Sequence, residues 1–258
     1  MATFLFDKVI FGPVKSRRLG VSLGINLLPI NGKICSFNCI YCECGWNPEV
    51  RMGKSSMPDR REVADNLEKK LREMLASGQL PDVITFAGNG EPTLHPQFPE
   101  IVEDTIRIRN RFVAGCKISV LSNATTASNK NVFEALLKIE NNIQKLDSAV
   151  PETLRALNCP TGKFSVEKLI ENLSSFSGRL IVQTLFLRGK RNDKYIDNTT
   201  EEELLAWTNA LKLIRPQKVM VYSLSRDTPA KDLEKTPIEE LKKIAERVRN
   251  IGIEVQVS

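Results

Sequence analysis

From Val83 onward, short apolar runs alternate with stretches of helical period, and this alternation constrains the fold more than any other feature of the chain. The runs are VITFAG (83–88), KISVLSN (117–123), IQKLDSA (143–149), LIVQTLFLRG (180–189), KVMVYSLS (218–225) and IEVQVS (253–258), preceded by GINLLP at 24–29. Strand pattern feeding helix pattern, repeated, specifies an α/β protein with parallel strands and right-handed crossovers. Several helix ends are readable. The 59–76 segment sets Val63, Leu67, Leu71 and Leu75 on one face and stops at Gly78. The stretches Thr200 to Glu203 and Thr236 to Glu239 read as capping boxes, with Pro237 in the first helical position of the second.

Six strand–helix units and a final strand can be counted. A complete eight-unit barrel also fits in about 250 residues, so the count, not the length, decides for an incomplete barrel or an open doubly wound sheet. Residues 1–23 show no such unit and read as an N-terminal extension to a partial barrel over 24–258. No low-complexity linker divides the chain, so one domain is expected over 1–258. In either architecture the chemistry belongs at the C-terminal ends of the strands.

Hydrophobic residues at 41% and charged residues at 26% are those of a globular protein with a real core. No run approaches the roughly 18 apolar residues of a membrane span, and Asp7 and Lys8 interrupt what a signal peptide would continue. A cytoplasmic protein with no membrane partner is therefore expected. The formal charge of +6 suits an anionic partner such as RNA, but the charges are spread as mixed helix faces and aromatics make up only 6%. A solvated surface explains them more simply.

Four of the six cysteines, Cys35, Cys39, Cys42 and Cys44, crowd into one segment. The first three have the spacing CxxxCxxC directly after an apolar run. Structural zinc wants four ligands, usually as two separated pairs, and this chain has no second pair and a single histidine, His95. An electron carrier normally takes four thiolates, for which Cys44 is the only nearby candidate. A 4Fe-4S cube on three thiolates instead leaves one iron open, and a catalyst can bind substrate or cofactor there. Cys116 and Cys159 stand apart and read as packing thiols. His95 reads as a turn-packing residue.

The segment Cys35-Ser36-Phe37-Asn38-Cys39-Ile40-Tyr41-Cys42 resembles the CxxxCxΦC signature of the radical S-adenosylmethionine superfamily, with Tyr41 at the aromatic position. That resemblance implies a partial (β/α)6 barrel of parallel strands with an additional C-terminal strand. It implies a 4Fe-4S cluster on Cys35, Cys39 and Cys42, with S-adenosylmethionine chelating the open iron and yielding a 5′-deoxyadenosyl radical on one-electron cleavage. Tyr41 is carried over for cofactor binding. Gly88-Asn89-Gly90-Glu91 resembles the family's glycine–glycine–glutamate turn, which receives the methionyl end; glycines there allow a ligand's ammonium to approach backbone carbonyls. Ser122 and Asn123 end a strand where the family binds ribose or carboxylate, and an Asx turn explains them equally well. Lys145 and Asp147, two apart, point to one side as cofactor or substrate contacts or as a lumen salt bridge.

The opening Gly12 to Asn26, together with GNGEPTLHP and the stretch Tyr222 to Pro229, resembles the wyosine-synthetase-like branch of that superfamily. Wyosine synthetases carry extra cysteines before the radical motif for a second cluster, and none precedes Cys35 here. The resemblance therefore implies a single cluster and an unidentified substrate, with RNA or a glycyl-radical-type protein as candidates because a partial barrel is open at its side. A low-potential donor such as flavodoxin or ferredoxin is the implied electron partner. Without that resemblance, Arg17 and Arg18 in its opening segment would read as a solvated loop.

Overall fold

Val83, Ile84, Thr85 and Phe86 are all buried, so the strand they form is covered on both faces, as a strand in the middle of a parallel sheet must be. The computed structural model describes residues 4–48 and 57–258. In chain order the first elements are β1 (Ile10–Ser16), β2 (Gly20–Ile25), α1 (Arg60–Ser77), β3 (Val83–Phe86), α2 (Phe98–Phe112), β4 (Lys117–Ser122), α3 (Lys130–Leu136) and β5 (Asn141–Lys145). They are followed by α4 (Pro151–Asn158), α5 (Val166–Ser174), β6 (Ile181–Leu185), β7 (Leu187–Arg191), β8 (Lys194–Asp197), α6 (Glu201–Ile214), β9 (Lys218–Tyr222), β10 (Leu233–Lys235), α7 (Ile238–Asn250) and β11 (Glu254–Val257).

Eight strands form one sheet in the order β1-β2-β3-β4-β5-β6-β9-β11. From β2 to β11 every pairing is parallel, with helices in each crossover, giving the expected six units and a final strand curled into a partial barrel. Two features depart from expectation. Residues 10–23, read as part of an extension, supply the antiparallel edge strand β1 and most of β2. The run 180–189 is two strands: β6 stays in the barrel, while β7 leaves it for a small antiparallel sheet of order β10-β7-β8. Apolar character marks both halves of that run as buried and says nothing about which sheet each joins.

The helices follow their caps. Asp59 accepts the Glu62 N–H at 2.8 Å to start α1, and Gly78 ends it in the left-handed region at φ 70°. Its buried stripe is Val63, Leu67, Leu71 and Met74, while Leu75 is 41% exposed. Steps of four residues drift about 40° each around a helix, so after three of them the stripe passes to the preceding residue. Thr200 caps α6 as expected, accepting from Glu203 N at 3.4 Å. The second capping box is not formed. Helix α7 starts at Ile238 with Pro237 as its cap, and Thr236 is fully buried with its N–H donated to Ser223 Oγ at 2.8 Å. Its hydroxyl is turned into the core and has no hydrogen-bond partner among the described residues.

The main core lies between the outer face of the sheet and the helices, with Leu67, Ile101, Leu169, Trp207 and Ile244 among its members. A second, small cluster of Ile143, Ile181 and Met220 lines the inside of the barrel, and Leu19 packs against it from the turn between β1 and β2. Gln256 Nε2 of β11 donates to the carbonyl of Arg18 in the same turn at 3.4 Å. The hairpin turn thus bridges to the last strand and closes the bottom of the lumen, so the lateral opening expected of an incomplete barrel is narrowed by the chain's own N-terminal residues. No helix among the described residues is long and apolar enough to cross a membrane.

Candidate active site

The cysteine segment follows β2 as a loop, and buried side chains and backbone bonds fasten it to three crossovers. Phe37 and Ile40 are almost wholly buried. Ile34 N donates to Asn89 O and Glu91 N to Ile34 O, each at 3.0 Å, which ties the start of the loop to the turn after β3. Asn38 N and Ile40 N donate to the carbonyls of Asn158 and Leu157 at the end of α4, both at 2.9 Å. Ala230 N donates to Ile40 O at 3.1 Å. Extended loops carry unpaired peptide groups, and here neighbouring strand and helix ends supply the partners.

Each of the three spaced thiols meets a different polar neighbour. Asn123 Nδ2 lies 3.5 Å from Cys35 Sγ, Asn158 Nδ2 lies 3.3 Å from Cys39 Sγ, and the buried charge of Lys33 acts on the thiol of Cys42. Burial pushes the Cys39 thiol up to about 11 and Cys35 further. The bond from Cys44, helped by the Lys33 charge, pulls Cys42 down to about 5 against its own burial. Lys33 is itself buried, its Nζ donating to Gly45 O at 2.8 Å; desolvation opposes its charge, and the three thiols more than offset it. Among the described residues no three His, Cys, Asp or Glu side chains gather closely enough for a single metal ion. Three spaced thiols, each with its own polar neighbour, suit a cluster whose ligands bind different irons.

The glycine turn passes directly beneath this loop. Gly88 and Gly90 have φ of 138° and 130°, and a Cβ on either would strike Asn26 Oδ1 at 2.4 Å or Ile34 O at 1.9 Å. The two glycines are thus already required by the protein's own packing, whatever else approaches them. Asn89 is fully buried, its amide donating to Phe6 O and Pro29 O at 2.9 and 2.8 Å and accepting from Phe6 N at 2.8 Å. Glu91 accepts from Asn123 N at 2.6 Å, Thr93 N at 3.1 Å and Thr93 Oγ1 at 2.5 Å, joining the end of β3 to the end of β4. Burial raises its carboxyl above the usual range, and these bonds partly offset that. The Cys44 thiol donates to Gly88 O at 3.3 Å, so Cys44 braces the turn against the cysteine loop.

These are strand ends of one barrel, and the superfamily sequence model for radical SAM proteins matches residues 32–202, about two thirds of the chain. The chain belongs to the radical SAM superfamily. It is 33% identical over 226 residues to a UPF0026 protein of Synechocystis sp., covering 85% of this chain and 77% of that one, which also places it among the UPF0026 proteins. It is 29% identical over 260 residues to a protein named GTPase Obg from Brachyspira hyodysenteriae, covering 98% of this chain and only 35% of that one. In fold it resembles a radical SAM methyltransferase from Sphaerobacter thermophilus, with a TM-score of 0.65 and 14% identity over 92% of this chain and 65% of that one. It also resembles TYW1 with a lysine-pyruvate adduct bound, with a TM-score of 0.61 and 18% identity over 89% and 73% of the two chains. At such identities the structural likeness concerns the fold alone.

In this radical SAM protein the remaining site candidates form one polar network across the top of the lumen. Asp147 is fully buried and lies 3.6 Å from Lys145 Nζ, the lumen salt bridge foreseen as one of two readings. Its carboxylate also accepts from the Tyr41 hydroxyl, from Asn158 Nδ2 at 2.7 Å and from Leu185 N at 2.9 Å. Burial opposes the Lys145 charge, and Asp147 with Tyr222 more than restores it, so its pKa is raised. Lys145 sits 5.1 Å from the Tyr41 ring centroid and donates to the Tyr222 hydroxyl at 3.1 Å. Asn123 is both things the sequence allowed: Oδ1 accepts from Thr125 N at 3.1 Å as an Asx turn, while Nδ2 faces Cys35. The Ser122 hydroxyl accepts from Ala124 N at 3.1 Å and stays at the strand end.

His95 is a turn residue, donating from Nε2 to Pro58 O at 2.8 Å and accepting from Gln97 N at 3.1 Å, and burial lowers its pKa. Cys116 is buried as expected. Cys159 does more than pack: it ends α4 at φ 42°, its carbonyl accepts Asn38 N at 3.1 Å, and its thiol meets Arg191 Nη1 at 2.5 Å. Sequence reasoning passed over Lys33 and Asn158, and took the side chain of Arg18 for a solvated loop residue where it stacks on Tyr222. A lysine two residues before the first cysteine is a readable signal for Lys33; Asn158 had none, because only the docking of α4 brings it to Cys39.

Proposed function

We propose that the chain is a radical SAM enzyme in which Cys35, Cys39 and Cys42 hold a 4Fe-4S cluster that binds S-adenosylmethionine at its open iron. The observation that carries this reading is the provision of three spaced thiols with three separate polar neighbours, the amides of Asn123 and Asn158 and the charge of Lys33, drawn from a strand end, a helix end and a loop. When bound, cluster and cofactor supply a 5′-deoxyadenosyl radical by one-electron cleavage of a carbon–sulfur bond, and that radical takes a hydrogen atom from the substrate. The protein's own part is positioning. Hydrogen bonds and charge at the sulfurs favour the reduced, more negative state. Buried Phe37 and Ile40 keep water from the base of the loop. Gly88 to Glu91 receive the methionyl end through the backbone, with Asn89 and Glu91 as braces. Tyr41, Ser122, Asn123, Asp147 and Lys145 frame the rest of the cofactor and the substrate side.

The opening segment and the likeness to TYW1 support the wyosine-synthetase-like branch, and the reaction is proposed only to hydrogen abstraction. Beyond the triad the chain has Cys44, Cys116 and Cys159. Cys44 braces Gly88, Cys116 is buried beside β4 and Cys159 caps α4, an arrangement that supports a single cluster. A low-potential flavodoxin or ferredoxin serves as donor in this reading. The test is anaerobic reconstitution followed by iron analysis and incubation with dithionite and S-adenosylmethionine. About four irons per chain and formation of 5′-deoxyadenosine are expected. Close to eight irons, or conversion of a methylguanosine-containing tRNA with pyruvate, overturns the single-cluster reading; iron without any cofactor cleavage leaves an electron carrier.

A further inference from the structure

Below the polar network the lumen holds a cavity of about 180 Å³, and one cation that lines it, Arg18, has no anionic partner among the described residues. Arg18, from the turn between β1 and β2, lines the cavity with Gln183, Leu121, Ile143 and Met220. Its guanidinium carbon lies 4.3 Å from the Tyr222 ring centroid, a cation–π contact that fixes the plane of the group. Nη1 of Arg18 is buried and has no hydrogen-bond partner among the described residues. The neighbouring charges are matched. Lys145 pairs with Asp147, and Arg226, which also lines the cavity, pairs with Glu43 at 2.6 Å. Ser22 and Thr85 on the wall bond each other at 2.8 Å.

A charged donor left unmade in a mostly apolar cavity is unfavourable, and an oxyanion removes that cost while adding a charge-assisted bond. We propose that the lumen takes a small organic acid, with its carboxylate on Arg18 and its apolar body against Leu121, Ile143 and Met220. That this acid is the substrate, or the reacting part of one, rests on the radical SAM reading; its binding does not. One other carboxylate has access to the barrel under that reading, the methionyl carboxylate of the cofactor, and the experiment separates the two sources.

Anaerobically reconstituted protein is titrated with propionate, butyrate and benzoate at constant ionic strength, with propionamide as the neutral control, and followed by calorimetric melting. The acids should raise Tm saturably, as ligands that bind only the folded state do, and propionamide should not. Arg18→Met should weaken acid binding by about tenfold or more, the usual size of a lost charge-assisted bond, and Arg18→Lys should retain part of it. Without any acid, Arg18→Met should melt no lower than the parent, because it removes a half-buried guanidinium whose Nη1 is unmet and keeps apolar bulk against Tyr222, and this shows that the variant folds. S-adenosylmethionine affinity should stay within about twofold in Arg18→Met; a fall of tenfold with no saturable effect of the acids assigns Arg18 to the cofactor and overturns the proposal. Equal stabilisation by propionamide, or undiminished acid binding in Arg18→Met, also overturns it. Cofactor cleavage is read separately by 5′-deoxyadenosine, so failure here leaves the radical SAM reading standing.

Discussion

The two ends of the barrel lumen are built on opposite rules. At the strand C-termini nearly every buried polar group is fastened to another: Asp147 accepts three hydrogen bonds and pairs with Lys145, Asn89 is held by Phe6 and Pro29, and Glu91 is held by Asn123 and Thr93. At the floor, an arginine stacks on Tyr222 with its Nη1 unmet and the walls are Ile143, Ile181 and Met220. The contrast teaches where geometry is fixed in advance and where it is left for a ligand. A site that must hold a cluster needs rigid ligands; a site that must admit and release a substrate leaves a donor open.

The largest effect in this comparison belongs to the cysteines at the fastened end. Cys35→Ala, Cys39→Ala or Cys42→Ala should each reduce cluster iron and 5′-deoxyadenosine to background, while Cys44→Ala keeps both, since the Cys44 thiol is engaged with Gly88 O. Loss of the cluster in Cys44→Ala with retention in Cys35→Ala reverses the assignment. Next is the ion pair. Asp147→Ala strands Lys145 in the lumen and should cost about 3–5 kcal/mol in denaturant unfolding, whereas adding Lys145→Met should recover most of it. A double variant as unstable as the single one means that the Asp147 hydrogen bonds, not the charge, hold this end.

Gly90→Ala tests the backbone contact under the loop. Its Cβ would fall 1.9 Å from Ile34 O at φ 130°, so a loss of about 3 kcal/mol is expected; Gly115→Ala, with open space around its Cβ, should change little. Equal effects at the two glycines contradict the tight turn. The smallest effect is at His95, the only histidine, whose ring resonances are therefore unique. Its pKa is lowered from 6.5 by burial, so the unfolded chain binds the proton more readily. The His95 contribution should be complete above pH 6.5, decline as pH falls through the interval down to the folded pKa, and be flat below it. An NMR midpoint at or above 6.5 removes that dependence.

Much of this was legible in the residues, and the failures have physical causes. The strand count and the Lys145–Asp147 pair follow from periodicity, because side chains two apart on a strand share a face. The cysteine spacing announced the loop. Strand β1 was missed because it is an edge strand that is mostly exposed, so IFGPVKS shows no apolar run. The division of 180–189 at Phe186 was missed because both halves are apolar, and only pairing with β8 and with the returning β10 places β7 in its own sheet. Asn158 and Arg18 become site residues through contacts spanning 119 residues to Cys39 and a ring stack on Tyr222, and neither leaves a local signal.

The central claim is an iron-sulfur cluster on Cys35, Cys39 and Cys42 with one iron open to S-adenosylmethionine. Electron paramagnetic resonance of the reduced, reconstituted protein with and without saturating S-adenosylmethionine tests it most directly. The account predicts a cluster signal that changes on addition of cofactor, accompanied by 5′-deoxyadenosine; an unchanged signal with no 5′-deoxyadenosine contradicts it.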